Sequence, residues 1–234
     1  MARDLARLGR IVAVEGPSSV GKTTLVRQFA RDPEFLTIPE AHARLRPRPS
    51  LRPSSPAGLL RLERRLLAEE GRRYREAHAG AREGRSVILD TGFFGPITYS
   101  EGLARIPPRW DIRGALSTTL LRDWTRGRRR LPDVTIYLDA PTRRLRARAL
   151  RDPRGHPREL LLRHLAVARL ERKWWRAAAE RLDPGRIVFL RGDRSPAQLA
   201  RRLRVLLAQA PPGSPGAGET RRLLAFVRSR AGNR

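Results

Sequence analysis

The chain contains no cysteine, so disulfides, thiolate metal sites and cysteine nucleophiles are excluded from the outset. Lysine is almost as rare: Lys22 and Lys173 are the only two among 50 basic residues, and the rest are arginines. Acids are outnumbered, 23 against 50, which leaves a formal charge of +27. Long apolar runs are missing too. Past the charged segment Met1 to Arg10 only four apolar residues follow in succession, too few for a signal-peptide core or a membrane span. The expectation is a cytoplasmic protein with no membrane association.

So basic a chain invites a nucleic-acid partner. The arginines, however, are scattered through nearly every helical segment and do not gather in one stripe, a bias that a GC-rich genome also produces. Nucleic acid is therefore admitted but not favoured. The length, 234 residues, suits one open α/β domain with a single large core.

What is present centres on Gly16-Pro17-Ser18-Ser19-Val20-Gly21-Lys22-Thr23-Thr24. An apolar run, Ile11 to Val14, precedes it as a buried strand would, and Leu25, Val26 and Phe29 begin a helical pattern behind it. Gly16 and Gly21 let the backbone curl so that successive N–H groups face phosphate oxygens, at the positive end of the following helix. Lys22 can reach the β- and γ-phosphates, and the Thr23 hydroxyl is placed to ligate Mg²⁺. The motif reads as a phosphate-binding loop for ATP.

Downstream, strands are expected near 35–38, 86–90, 134–138 and 186–190, alternating with helices, as in a three-layer α/β/α fold with a mostly parallel five-stranded sheet. In such a sheet the loops at the carboxyl ends of the strands line the ligand crevice. Glu40, after the second strand, would face that crevice or simply begin a helix as a solvated acid, and Arg44 lies just beyond. A proline-rich loop spans 46–56, and a long amphipathic helix is expected from Leu59 to about Glu83. Asp90 ends the third strand, where a carboxylate can hold Mg²⁺ or accept a hydroxyl proton. The aromatics Phe93, Phe94 and Tyr99 would floor an acceptor pocket or fill core. Residues 143–158, rich in arginine and broken by Pro153 and Gly155, look like a lid whose guanidinium groups neutralise a transferring phosphoryl. Residues 1–210 form the expected domain. Residues 211–234 read as a Pro/Gly linker and a basic tail, either a short helix or frayed.

Taken together, Glu15 through Thr24, Pro39-Glu40, Asp90, Pro132 through Asp139 and the arginines around Arg148 resemble the thymidylate kinase branch of the nucleoside and nucleotide kinases over residues 10 to 208. The Pro-Asp-Val-Thr entry to the fourth strand is the most telling of these. The resemblance implies that Lys22 and Thr23 serve ATP and Mg²⁺, that Asp90 lies beside the acceptor, and that Arg148 with Arg151 or Arg154 acts from the lid. It implies too that Arg191 to Arg194 lie near the adenine. Glu40, Arg44, Phe93 and Tyr99 are the candidate acceptor contacts. Two departures bear on the acceptor: Thr91-Gly92 stands where the family commonly has arginine, and Ser18 where many members have an acid. Arg44 or Arg105 could replace the lost arginine.

The expected activity is transfer of the γ-phosphoryl of ATP to a nucleotide, nucleoside or similar small acceptor, with a homodimer compatible with this class. A polynucleotide 5′-kinase and an NTP-binding protein that transfers nothing are the alternatives.

Overall fold

The computed structural model describes residues 9–92, 94–107, 109–125, 131–151, 158–209 and 213–231. Five short apolar segments become strands: β1 (Ile11–Glu15), β2 (Phe35–Ile38), β3 (Ser86–Asp90), β4 (Val134–Asp139) and β5 (Ile187–Arg191). All pairings are parallel, in the order β2-β3-β1-β4-β5. Successive side chains along a strand point to opposite faces, so each apolar run feeds two cores. Ile11, Val87, Leu89 and Tyr137 pack on one face against α3 (Pro56–Arg82), α4 (Gly95–Leu103), α5 (Arg113–Thr125), α7 (Arg158–Ala179) and α9 (Ala217–Arg230). Val12, Val14, Ile136 and Leu138 pack on the other against α1 (Lys22–Arg27), α6 (Thr142–Leu150) and α8 (Pro196–Gln209). The three-layer expectation therefore holds. The short α2 (Ala41–Arg44) follows β2.

The register sets the site. Val14 pairs with Asp90 and Glu15 with Tyr137, so β1 and β3 end level with each other. The chain leaves β1 for α1 with β3 on one side and β4 on the other, and at such a switch point a crevice opens beyond the strand ends.

At two places where the sequence leaves alternatives, the structure takes one of them. The stretch after Asp90 forms α4, entered through Pro96 in its first turn, and Phe94 fills core: it is 4% exposed and packs on Trp124 and Trp174 at ring centroid distances of 6.0 and 5.4 Å. Of the short helix and the frayed tail, residues 217–230 form the helix. Leu223, Phe226 and Val227 recur at helical spacing and bury one face of α9 in the main core, with Phe226 5.2 Å from Trp174. Glu219 ties this helix down by accepting the main-chain N–H of Asp183 at 2.9 Å, beside Arg186 at 3.5 Å. Of the expected lid, α6 and the start of α7 are described, whereas Arg154 and the rest of 152–157 lie outside the described residues.

Candidate functional site

The loop between β1 and α1 takes its shape from backbone that few residues tolerate. Gly16 has φ +133°, and a Cβ there would stand 2.3 Å from the carbonyl oxygen of Leu138. Ser19 and Gly21 also adopt positive φ, 64° and 108°. Lys22 folds back over the loop, its Nζ donating to the carbonyl oxygens of Gly16 at 2.6 Å and Pro17 at 3.2 Å. Thr23 Oγ1 donates to Asp90 Oδ2 at 2.6 Å, which joins the loop to the end of β3. Asp90 Oδ1 is buried without a partner among the described residues. Burial raises the pKa of Asp90, opposed by the Thr23 hydrogen bond and the Lys22 charge, and the Glu40 carboxylate adds to the rise.

Behind Asp90 the main chain is braced by Arg73 of α3, which is fully buried. It pairs with Glu70, and its Nη2 donates to the carbonyl oxygens of Asp90 at 2.8 Å and Thr91 at 2.9 Å. Thr91 needs the support, since it holds φ 65°, a left-handed conformation unfavourable for a β-branched residue. Next to it the N–H of Gly92 donates to Glu15 Oε1 at 2.9 Å, and the other oxygen of Glu15 is buried without a partner among the described residues. Burial first, and the nearby Glu171 second, raise the Glu15 pKa well above the usual carboxylate range, against the pull of Lys22.

A cavity of about 660 Å³ opens from this point. Gly16, Ser18, Lys22 and Thr23 form its donor end; Glu40 and His42 after β2, Glu63, Leu66 and Glu70 of α3, and Pro96 and Tyr99 of α4 form its walls; His164, Val167 and Glu171 of α7 close it. His164 Nδ1 lies 3.2 Å from the Ser18 hydroxyl, and its ring meets that of Tyr99 edge-on at 5.2 Å. Burial pushes the Tyr99 phenol up to about 12, Glu63 up to about 8 and Glu171 up to about 7, the last partly offset by Lys22.

The sequence candidates divide accordingly. Lys22, Thr23, Asp90, Glu40 and Tyr99 are brought together around one cavity. Arg44 is not: its guanidinium is held by Glu69 at 2.9 Å and Glu76 at 2.6 Å, off the cavity wall. Arg105 pairs with Glu101. Arg148 lies beneath the phosphate loop, donating to the carbonyl oxygens of Val20 at 2.8 Å and Gly192 at 2.9 Å, so it fastens that loop to the turn after β5. Arg151 caps α6 as an exposed residue, and Phe93 lies outside the described residues. Glu63, Arg73, His164 and Glu171 were not anticipated. The signal for the acids was there: Leu59, Leu62, Glu63 and Leu66, like His164, Val167, Ala168, Glu171 and Trp175, follow one helical face. A carboxylate on an inward stripe is seldom there for packing alone.

Residues 11–124 match the AAA domain family. No curated protein matches the sequence significantly. Among solved structures, the deoxyadenosine kinase from M. mycoides with bound dATP is 11% identical with a TM-score of 0.64, covering 84% of this chain and 98% of its own. The thymidylate kinase from Candida albicans is 16% identical with a TM-score of 0.57, covering 86% of this chain and 92% of its own. At such identities the likeness is one of fold. None of the described helices is long and apolar enough to cross a membrane.

Proposed function

We propose that this chain, which has the α/β phosphate-loop fold of the deoxyadenosine and thymidylate kinases, is an ATP- and Mg²⁺-dependent phosphotransferase acting on the hydroxyl of a nucleoside, nucleotide or similar small acceptor. The observation that carries the reading is the Thr23–Asp90 hydrogen bond at the donor end of a cavity, with Lys22 beside it. Nucleotide binding alone would need the loop; the cavity beyond it is room for a second reactant.

The donor set fits Mg²⁺. Thr23 offers a hydroxyl and Asp90 a buried oxygen without a partner, hard ligands suited to this ion. No group of three or more histidines and acids able to hold a metal occurs among the described residues, in keeping with an ion that takes its remaining ligands from phosphates and water. When bound, Mg²⁺ would neutralise charge on the β- and γ-phosphates.

Transfer joins the acceptor oxygen to the γ-phosphorus as the bond from that phosphorus to the β,γ-bridging oxygen breaks, and ADP leaves. The hydroxyl proton passes to a carboxylate at the junction, Asp90 or Glu40. Lys22 leaves its loop carbonyls to meet the phosphates, and positioning with electrostatic stabilisation supplies most of the rate. The turn at Arg191 to Arg194, stitched to the loop through Arg148, is the proposed adenine side.

The test is transfer of label from γ-labelled ATP across a panel of nucleosides, nucleotides, polyols and short oligonucleotides. Label on a small acceptor, abolished by Lys22→Ala, is the expected result. ATP binding that Lys22→Ala removes, with label on no acceptor, would overturn the kinase reading.

A further inference from the structure

The cavity is lined by acids in a chain that is otherwise strongly basic. Against a net charge of +27, its walls carry Glu15, Glu40, Glu63, Glu70, Asp90 and Glu171. The cations that line it are Lys22, engaged by the phosphate loop, and Arg27 and Arg48, both exposed at the rim.

Most of the buried glutamates, one of the cavity's own among them, are matched with arginine. Glu69 meets Arg44 and Arg72, Glu70 meets Arg73, Glu101 meets Arg105 and Arg113, and Glu219 meets Arg186. Glu63 is 4% exposed and faces the cavity, yet among the described residues no hydrogen bond or ion pair reaches its carboxylate. Glu171, across on α7, is partly buried, and among the described residues no hydrogen bond or ion pair reaches its carboxylate either. Burying a carboxylate without a partner is costly, and a chain so rich in arginine had partners to offer. The positions left without one are those that border the space for a second reactant.

We propose that the phosphoryl acceptor is a cationic alcohol, in class an amine-bearing polyol, whose ammonium group is held by Glu63 of α3 and Glu171 of α7. The inference rests on the kinase reading for its transfer step, in which the acceptor oxygen bonds to the γ-phosphorus as ADP departs and the proton goes to Asp90 or Glu40. Leu66, Pro96, Tyr99 and Val167 give the carbon skeleton apolar contact. An acceptor already carrying phosphate would instead place its anion among carboxylates. Arg73, behind Asp90, is locked by Glu70 and the Asp90 and Thr91 carbonyls, and the two arginines that line the cavity, Arg27 and Arg48, are exposed.

Calorimetric titration of the full chain, saturated with a non-hydrolysable ATP analogue, tests this with four probes: 2-deoxystreptamine, a compact diamine polyol; myo-inositol, a neutral polyol; deoxyadenosine; and thymidine monophosphate. The diamine is expected to bind tightest, and Glu63→Gln to weaken it about tenfold or more, the loss of one charge-assisted contact. The affinity of Glu63→Gln for the ATP analogue, measured in parallel, checks that the variant is folded. Tighter binding of deoxyadenosine or thymidine monophosphate, diamine affinity indifferent to Glu63→Gln, or no binding by any probe overturns the inference. Glu63-dependent binding of the diamine, with label from ATP passing neither to it nor to any acceptor of the panel above, would overturn the kinase reading and leave the cation site standing.

Discussion

Arg73 on α3 donates to the main-chain oxygen of Asp90 at 2.8 Å, so a fully buried guanidinium carries the backbone on which the proposed Mg²⁺ ligand sits. The same nitrogen holds Thr91 in its left-handed conformation. Removing it leaves two carbonyls and the Glu70 partner without that charge. Arg73→Met is expected to cost about 3–5 kcal/mol, read as a fall in the urea midpoint, and Arg73→Met with Glu70→Leu to recover a large part of it. A midpoint unchanged in the single variant would show that the buried pair braces nothing.

Thr23 and Asp90 act as a unit in the proposed chemistry, so hydroxyl and carboxylate should be separable by conservative changes. Thr23→Ser keeps the oxygen and is expected to retain most of the transfer rate. Thr23→Ala and Asp90→Asn should each lower it about a hundredfold or more and raise the Mg²⁺ concentration needed for half-maximal rate. Equal rates for Thr23→Ser and Thr23→Ala would remove the hydroxyl from the site.

Much of this was legible in the sequence, and for physical reasons. The phosphate loop needs glycine where only positive φ fits, and Gly16 against the Leu138 carbonyl shows why no other residue serves. β1 and β4 were readable because their runs are buried on both faces. The Ser195-Pro196-Ala197-Gln198 pattern of a capping box is legible too, and both its hydrogen bonds form at 3.2 Å. What local pattern could not supply was the tertiary choice of partner. Arg44, beside Glu40 in sequence, is drawn away by Glu69 and Glu76 from a helix begun a dozen residues later. Arg148 reads as a mobile cation in isolation, yet two carbonyls from distant loops claim it. Glu63 and Glu171 were hidden by ordinary helical spacing, and only the meeting of α3 with α7 gives them a common cavity.

Phe226 offers a direct check on the C-terminal helix. It is 6% exposed and sits against Trp174 in the main core. Phe226→Ala is expected to destabilise the whole chain by about 3–5 kcal/mol in a single cooperative transition. An unchanged midpoint would return residues 217–230 to the status of a tail.

The pH dependence of stability follows from the cavity acids. Burial pushes Glu63 from the ordinary 4.5 up to about 8 and Glu171 from 4.5 to about 7, so the folded chain keeps protons that the unfolded chain releases. Their contribution is whole below 4.5 and is lost as pH rises through about 7 and about 8. Unfolding free energy is therefore expected to fall across that window, by up to about 1.4 kcal/mol per pH unit for each group, and Glu63→Gln to flatten the slope. Urea titrations at a series of pH values check this, and a slope identical in the variant would rule Glu63 out as its source.

Arg148 joins two loops that the proposed donor site requires, Val20 in the phosphate loop and Gly192 after β5. The two loops already touch closely: a Cβ on Gly192 would stand 2.7 Å from Val20 Cγ2. In Arg148→Ala both carbonyls lose a charged donor, at a cost of about 1.5–3 kcal/mol in stability. If the guanidinium only fastens the loops, Arg148→Ala should raise KM for ATP about tenfold while kcat changes little, since the loss is one of binding geometry. A large fall in kcat with KM preserved would instead mean that Arg148 turns toward the phosphoryl group during transfer, as the resemblance to thymidylate kinases implied, and that the loop-fastening geometry is the resting state alone.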